Sequence, residues 1–188
     1  RNLLHRDTAC PMFLPMTNAT YSHGELVPRL SASQRDADMK FVSRQIKHWT
    51  SNDLLRPVGD KHTGMGRSRQ YPEQEIIVAA YLHELSKYGV TIGNLKAFRK
   101  FFDTAMKTPD SANALMGKTD KHGYGGYIIY YGLSDQPNKG SGYQIVPIGR
   151  ISGDDVFTLH DSKANKDFNF KSGLVINCAD VVARLNLP

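Results

Sequence analysis

RQIKHWTSNDLLRPVGDKHTGMGRSRQYPEQE, residues 44–75, is the stretch on which the reading of this chain turns. It opens inside an amphipathic segment in which Phe41, Val42, Ile46, Trp49 and Leu54 recur near helical spacing while Lys40, Arg44, Lys47 and His48 fall between them. That pattern predicts a helix with one buried and one basic face. Trp49, the only tryptophan, is expected in the core, because a single tryptophan in an amphipathic helix is more often an anchor than a base-stacking residue. Pro57 and Gly59 end the helix. VGDKHTGMGRSRQYP, residues 58–72, combines three glycines with Lys61, His62, Arg67 and Arg69, which suits a turn or hairpin and not a helix. Pro72 then stands just inside a further helix with Glu73 and Glu75 in its first turn, where the fixed proline torsion and the helix dipole favour them.

Toward the N-terminus, Ser22 followed by Glu25 reads as a capping box that opens a short helix, SHGELVPRL, kept brief by Pro28 and the serines after it. Residues 1–20 have no clean period and contain Pro11 and Pro15, so they are expected to form an arm or leader, with Met16 as an alternative natural start. Toward the C-terminus, Ile76, Ile77, Ala80, Leu82 and Leu85 continue the helix to Gly89. Thr91 opens one more, with Leu95, Phe98, Phe101, Phe102 and Met106 as its stripe and Pro109 as its stop. Residues 21–107 thus read as helix, helix, basic loop, helix, helix.

Beyond residue 107 the pattern changes. YGGYIIYYGL, YQIVPIGRI and DVFTLHD are short, rich in Tyr, Ile and Val, and separated by Gly, Pro, Asn and Asp, which predicts an antiparallel sheet of four or so strands. GLVINCADVVARL starts as a strand and turns into a helix near Asn177 or Cys178, with Val181, Val182 and Leu185 at helical spacing. The tyrosines Tyr124, Tyr127, Tyr130, Tyr131 and Tyr143 suit a core or a subunit interface better than a ligand pocket. The expected class is α+β: an arm over 1–20, a helical unit over 21–107, and a β-rich oligomerisation or sensing domain with a C-terminal helix over 108–188.

Charge follows the same division. Residues 1–107 hold sixteen Lys and Arg against ten Asp and Glu, whereas residues 108–188 hold eight of each, so the whole net charge of +6 sits in the first part. A basic unit joined to a neutral one suits a nucleic-acid binder with an attached assembly or sensing domain, since phosphate neutralisation needs local positive charge. No apolar run is long enough to span a bilayer, and residues 3–16 are too short and too broken for a signal peptide, so a cytoplasmic, nucleoid-associated protein without a membrane partner is expected. Cys10 and Cys178 have no metal-binding or disulfide spacing and read as free thiols; no cofactor and no metal is expected.

These elements resemble the MerR transcription regulators, whose recognition helix reads roughly R-x-x-R-Y-Y-x-x-x-x-L-L-x-P before a wing closing in R-x-Y. Arg44, Lys47, His48, Trp49, Leu54, Leu55 and Pro57 stand in those places. Arg69-Gln70-Tyr71 before an acidic helix start is similar to the family's R-L-Y-T-E-E-D, and Tyr88-Gly89-Val90-Thr91-Ile92 to its L-G-F-S-L. Counting from Gly24, Glu25 and Leu26, the link to Arg44 is longer than the family usually has, and Pro109 with a glycine-rich β region stands where the family has a long pairing helix. The resemblance implies a winged helix-turn-helix that binds duplex DNA in a bacterial or phage regulator.

In such a module Arg44 and Lys47 reach base edges or phosphates in the major groove, with Lys40, Ser43 and His48 on the same helix, while Lys61, His62, Arg67 and Arg69 lie along the backbone and Tyr71 offers a hydroxyl at the wing base. The competing reading of Arg44, Lys47 and His48 is a solvated helix face, and Arg69 also suits a partly structural role. A homodimer or higher homo-oligomer is expected, because one short recognition helix rarely gives enough specificity; a protein partner or small-molecule effector would act at the C-terminal domain. A second DNA-binding reading is a phage or mobile-element excision or partition factor. The enzyme reading rests on His160, Asp161, Cys178 and Asp180 as a Cys/His site, but no phosphate loop, HExxH or GxSxG accompanies them.

Overall fold

The computed structural model describes residues 19–31, 35–59, 68–118, 126–131, 142–147 and 173–187. It is mixed α and β. Strand β1 (Thr20–Ser22) leads into α1 (His23–Leu30), followed by α2 (Asp36–Ser51), β2 (Gln70–Pro72), α3 (Glu73–Lys87), α4 (Ile92–Ala105) and α5 (Pro109–Leu115). Strands β3 (Gly126–Tyr131), β4 (Gly142–Pro147) and β5 (Gly173–Asn177) then precede α6 (Cys178–Ala183).

The capping box at the start of α1 forms as the sequence requires. The Ser22 amide donates to Glu25 Oε2 at 2.7 Å and the Glu25 amide donates to Ser22 Oγ at 3.3 Å, satisfying two donors the helix leaves unpaired. Donation from the Ser22 amide, and after it from the Ser22 hydroxyl, holds the Glu25 carboxyl below its ordinary range. Helix α2 buries Val42, Ile46, Trp49 and Thr50, so Trp49 lies in the core. Phe41, read from its spacing as part of that apolar stripe, instead stands 51% exposed.

Helix α2 ends before Pro57. Asp53 adopts a left-handed φ of 61°, and the Leu54 amide returns to the Trp49 carbonyl at 2.9 Å, a C-terminal cap that tucks Leu54 beside Trp49 in the core. Helix α3 is apolar on nearly all sides, with ten buried residues, and it contacts α1, α2, α4, α6 and β2. A helix of this composition forms the centre of a core and not its rim. Its Tyr81 packs against Phe98 and Phe102 of α4 with ring centroids 5.9 and 6.3 Å away.

Two expectations need correction here. Pro72 is the N-cap of α3 and not its first residue, with backbone extended at ψ 157°. Pro109, read as a stop before a β-rich region, opens α5 at a position where the missing amide costs no helical bond. Gly117 then ends α5 at φ 70°, and a Cβ there would meet Val182 Cβ at 2.8 Å, so glycine is required both by the torsion and by the approach of α6.

The three described strands of the later part form one antiparallel sheet in the order β4-β3-β5, with Ile128 opposite both Ile145 and Ile176. The expected strand DVFTLHD lies outside the described residues, as do Tyr124, the side chains of the other four tyrosines, and Cys10. Helix α6 starts at Cys178 with Asn177 capping the Ala179 and Asp180 amides. Leu115, Ile176, Cys178, Val181 and Leu185 belong to the same hydrophobic cluster as Leu26, Trp49 and Tyr81. The core therefore runs without a break across the boundary expected at 107/108.

Candidate nucleic-acid interface

Burial of Val42, Ile46 and Trp49 on one side of α2 leaves Lys40, Arg44 and Lys47, at i, i+4 and i+7, on the opposite side. All three are exposed, as is His48. Lys40 lies 3.8 Å from Asp36 one turn earlier, a surface pair that contributes little and leaves the lysine free to change partner.

The start of α1 docks beside this face. His23 Nε2 lies 2.9 Å from Ser43 Oγ, and the His23 amide donates to the Arg69 carbonyl at 3.2 Å. Partial burial lowers the His23 pKa, and the positive charges of Lys47 and Arg69 lower it further. His23 thus marks where α1, α2 and the residues just before β2 bring positive charge together. Its role was not foreseen from sequence, although its place directly after the Ser22 cap was a usable signal.

The ends of the segment that follows α2 are held by two links. β1 pairs antiparallel with β2, Tyr21 opposite Tyr71, and the Val58 amide donates to the Gln70 carbonyl at 2.7 Å. Lys61, His62 and Arg67 belong to the segment between those ends and lie outside the described residues. Arg69 is partly buried at the neck.

Tyr71 is corrected by its burial. Its ring is 0% exposed, and its hydroxyl lies 2.9 Å from the Thr50 hydroxyl, which itself donates to the Ile46 carbonyl at 2.8 Å. With the Thr50 proton so used, Tyr71 donates to Thr50, and its hydroxyl anchors β2 to α2 instead of facing a ligand.

A second anchor holds the exit from α2. Glu75 and Arg99, both buried, form a two-pronged pair at 2.7 and 2.8 Å. Glu75 Oε2 also accepts the Arg56 amide at 2.8 Å, and Arg99 reaches the Leu54 carbonyl at 3.3 Å. Asp103 binds Arg99 at 3.0 Å and Arg56 at 2.8 Å from its half-buried side. The sequence reading gave Glu75 a helix-dipole role only; a carboxylate among Ile76, Ile77 and Val78 and an arginine beside Phe98 were the signals of a buried pair.

Of the residues of the enzyme reading, Cys178 and Asp180 lie among the described residues. Cys178 is a fully buried thiol in no disulfide among the described residues and lies next to Tyr81, whose phenol is pushed up by burial and donates to the Leu115 carbonyl at 2.7 Å. Asp180 is exposed on α6, and His160 and Asp161 lie outside the described residues. Among the described residues, no three His, Cys, Asp or Glu side chains converge as a metal site, and no helix is long and apolar enough to cross a membrane. Neither a protein-family model nor a curated protein matches this chain.

Proposed function

We propose that this protein binds duplex DNA sequence-specifically as a bacterial or phage transcription regulator, with α2 in the major groove and the segment between Val58 and Arg69 along the backbone. The observation that carries this reading is the basic face of α2, where Lys40, Arg44, Lys47 and His48 stand exposed on a 16-residue helix whose other side is locked in the core. An α-helix fits the major groove, and arginine and lysine there reach base edges and phosphates.

The order of elements supports the same reading. A capped helix carrying Gly24, Glu25 and Leu26, a basic helix, a segment whose ends meet at Val58 and Gln70 and two further helices follow one another, an order compatible with the MerR resemblance. Arg44 and Lys47 are assigned to the groove, His48, Lys61, His62 and Arg67 to phosphates, and Arg69 to both the neck and the backbone. Ser43 positions His23. A homodimer or higher homo-oligomer supplies the second half-site, and the working place is the cytoplasm, at the nucleoid.

One observation favours a second reading, an excision or partition factor that shapes DNA. After α4 the chain enters α5 and a sheet, with no described long helix for pairing two subunits. Preference for tandem sites over a single palindrome would select that role.

The test is fluorescence anisotropy of a random-sequence duplex and a matched single strand across about 50 to 200 mM salt, where phosphate contacts are steeply screened. A salt-steep preference for the duplex is expected. No duplex binding at the lowest salt overturns the proposal.

A further inference from the structure

Helix α2 carries one large apolar side chain where its pattern does not call for one. Phe41 is 51% exposed, although Val42, Ile46 and Trp49 complete the buried stripe without it. It stands three residues before Arg44 and seven before His48, so the three share one side of the helix, and Lys40 is its neighbour in sequence. A partner for this surface must accept positive charge around an apolar contact. Another apolar protein face does not, because it would bury the Arg44 guanidinium without counter-charge.

The major groove of B-DNA offers both features in one surface. Phosphates line its edges, and within it the only apolar group on the base edges is the C5-methyl of thymine. We infer, on the reading that α2 enters the major groove, that Phe41 is a specificity-determining residue that covers a thymine methyl group while Arg44 and His48 hold adjacent polar and phosphate atoms. The recognised sequence then contains a thymine at a fixed distance from the bases read by Arg44.

The experiment uses the full chain. Duplexes retained from a random-core pool are resynthesised with uracil in place of thymine, which removes the methyl and keeps the pairing, and are titrated with wild type and Phe41→Ala. Wild type is expected to bind the uracil duplex about fourfold more weakly for each methyl covered, on the scale of burying one such group. Phe41→Ala is expected to bind both duplexes alike, with the affinity of wild type for uracil. Because Phe41 is exposed, the variant should keep the wild-type circular dichroism spectrum.

Equal binding of the two duplexes by wild type, or undiminished discrimination by Phe41→Ala, overturns the inference while leaving DNA binding intact. Failure to retain any duplex from the pool overturns both. Loss of a wild-type dimer in Phe41→Ala, seen by sedimentation without DNA, assigns the side chain to self-association and overturns the inference as well.

Discussion

The Tyr71 hydroxyl lies 2.9 Å from the Thr50 hydroxyl in a fully buried contact, joining β2 to the last turn of α2. Thr50 passes its own proton to Ile46, so the three groups form a one-way chain into the helix backbone. Tyr71→Phe should cost about 1 kcal/mol, and Thr50→Val more, up to about 3 kcal/mol, because it strands a buried phenol without an acceptor. Urea unfolding of both single variants and the double variant measures this. A double variant no worse than Thr50→Val supports the chain of donors; fully additive losses refute it.

Glu75 accepts from both the Arg99 guanidinium and the Arg56 amide. Glu75→Gln should lower stability by about 3 kcal/mol, since Arg99 keeps its buried charge and loses its two-pronged partner. Asp103→Asn, at the half-open side of the same network, should cost under about 1 kcal/mol. Thermal unfolding of the two variants side by side decides the ranking, and equal losses would contradict the assigned roles.

Stability should fall in mild acid because of His83. Burial pushes its imidazole down to about 4, Lys87 adds to the depression and Glu84 opposes it, while Nδ1 sits 3.0 Å from Gln45 Oε1 on α2. The unfolded chain takes up this proton below about 6.5, whereas the folded protein resists until about 4. The neutral imidazole's contribution is therefore whole above 6.5 and is lost progressively as pH falls toward 4, by about 2 kcal/mol once solvent screening is allowed for. His23, shifted the same way, adds to the slope. Unfolding midpoints from pH 7.5 to 4 should flatten in His83→Gln; an unchanged slope would exclude His83 as the cause.

On DNA, Arg44→Ala and Lys47→Ala should weaken binding to a selected site more than to random duplex, since groove contacts carry sequence information. Arg67→Ala should weaken both about equally and lower the salt slope by about 1, as the loss of one phosphate contact requires. Parallel losses in all three variants on both duplexes would dissolve the division between groove and backbone.

What could be read in advance follows the range of the forces involved. The Ser22 cap, the basic face of α2, the start of α6 at Cys178 and the antiparallel strands are set by neighbours within a turn or by alternation along a strand, and these were legible. Helix α5 was missed because proline at a first helical position looks the same in sequence as proline after a last one. The pairing of β1 with β2 left no period to detect in three residues each. Tyr71 and the Glu75–Arg99 pair were misread because their partners lie about twenty residues away or more, and local patterns carry no information on such distances. Phe41 fell on the wrong side because it adjoins a true apolar position, Val42.

Arg29, near the end of α1, donates to the carbonyls of Leu185 and Asn186 at 2.6 and 2.7 Å, and Arg184 reaches Glu84 of α3 at 3.3 Å. The last helix is thus clasped to the first, and it covers the rear of α3. The basic unit is for that reason not an interchangeable cassette: excised at residue 107 it would leave Ala80, Tyr81 and their neighbours facing water, and grafted onto another partner it would need a new backing plate. A substitution that loosens α6 is consequently felt by the helices it backs, and the two ends of the chain stand or fall as one core.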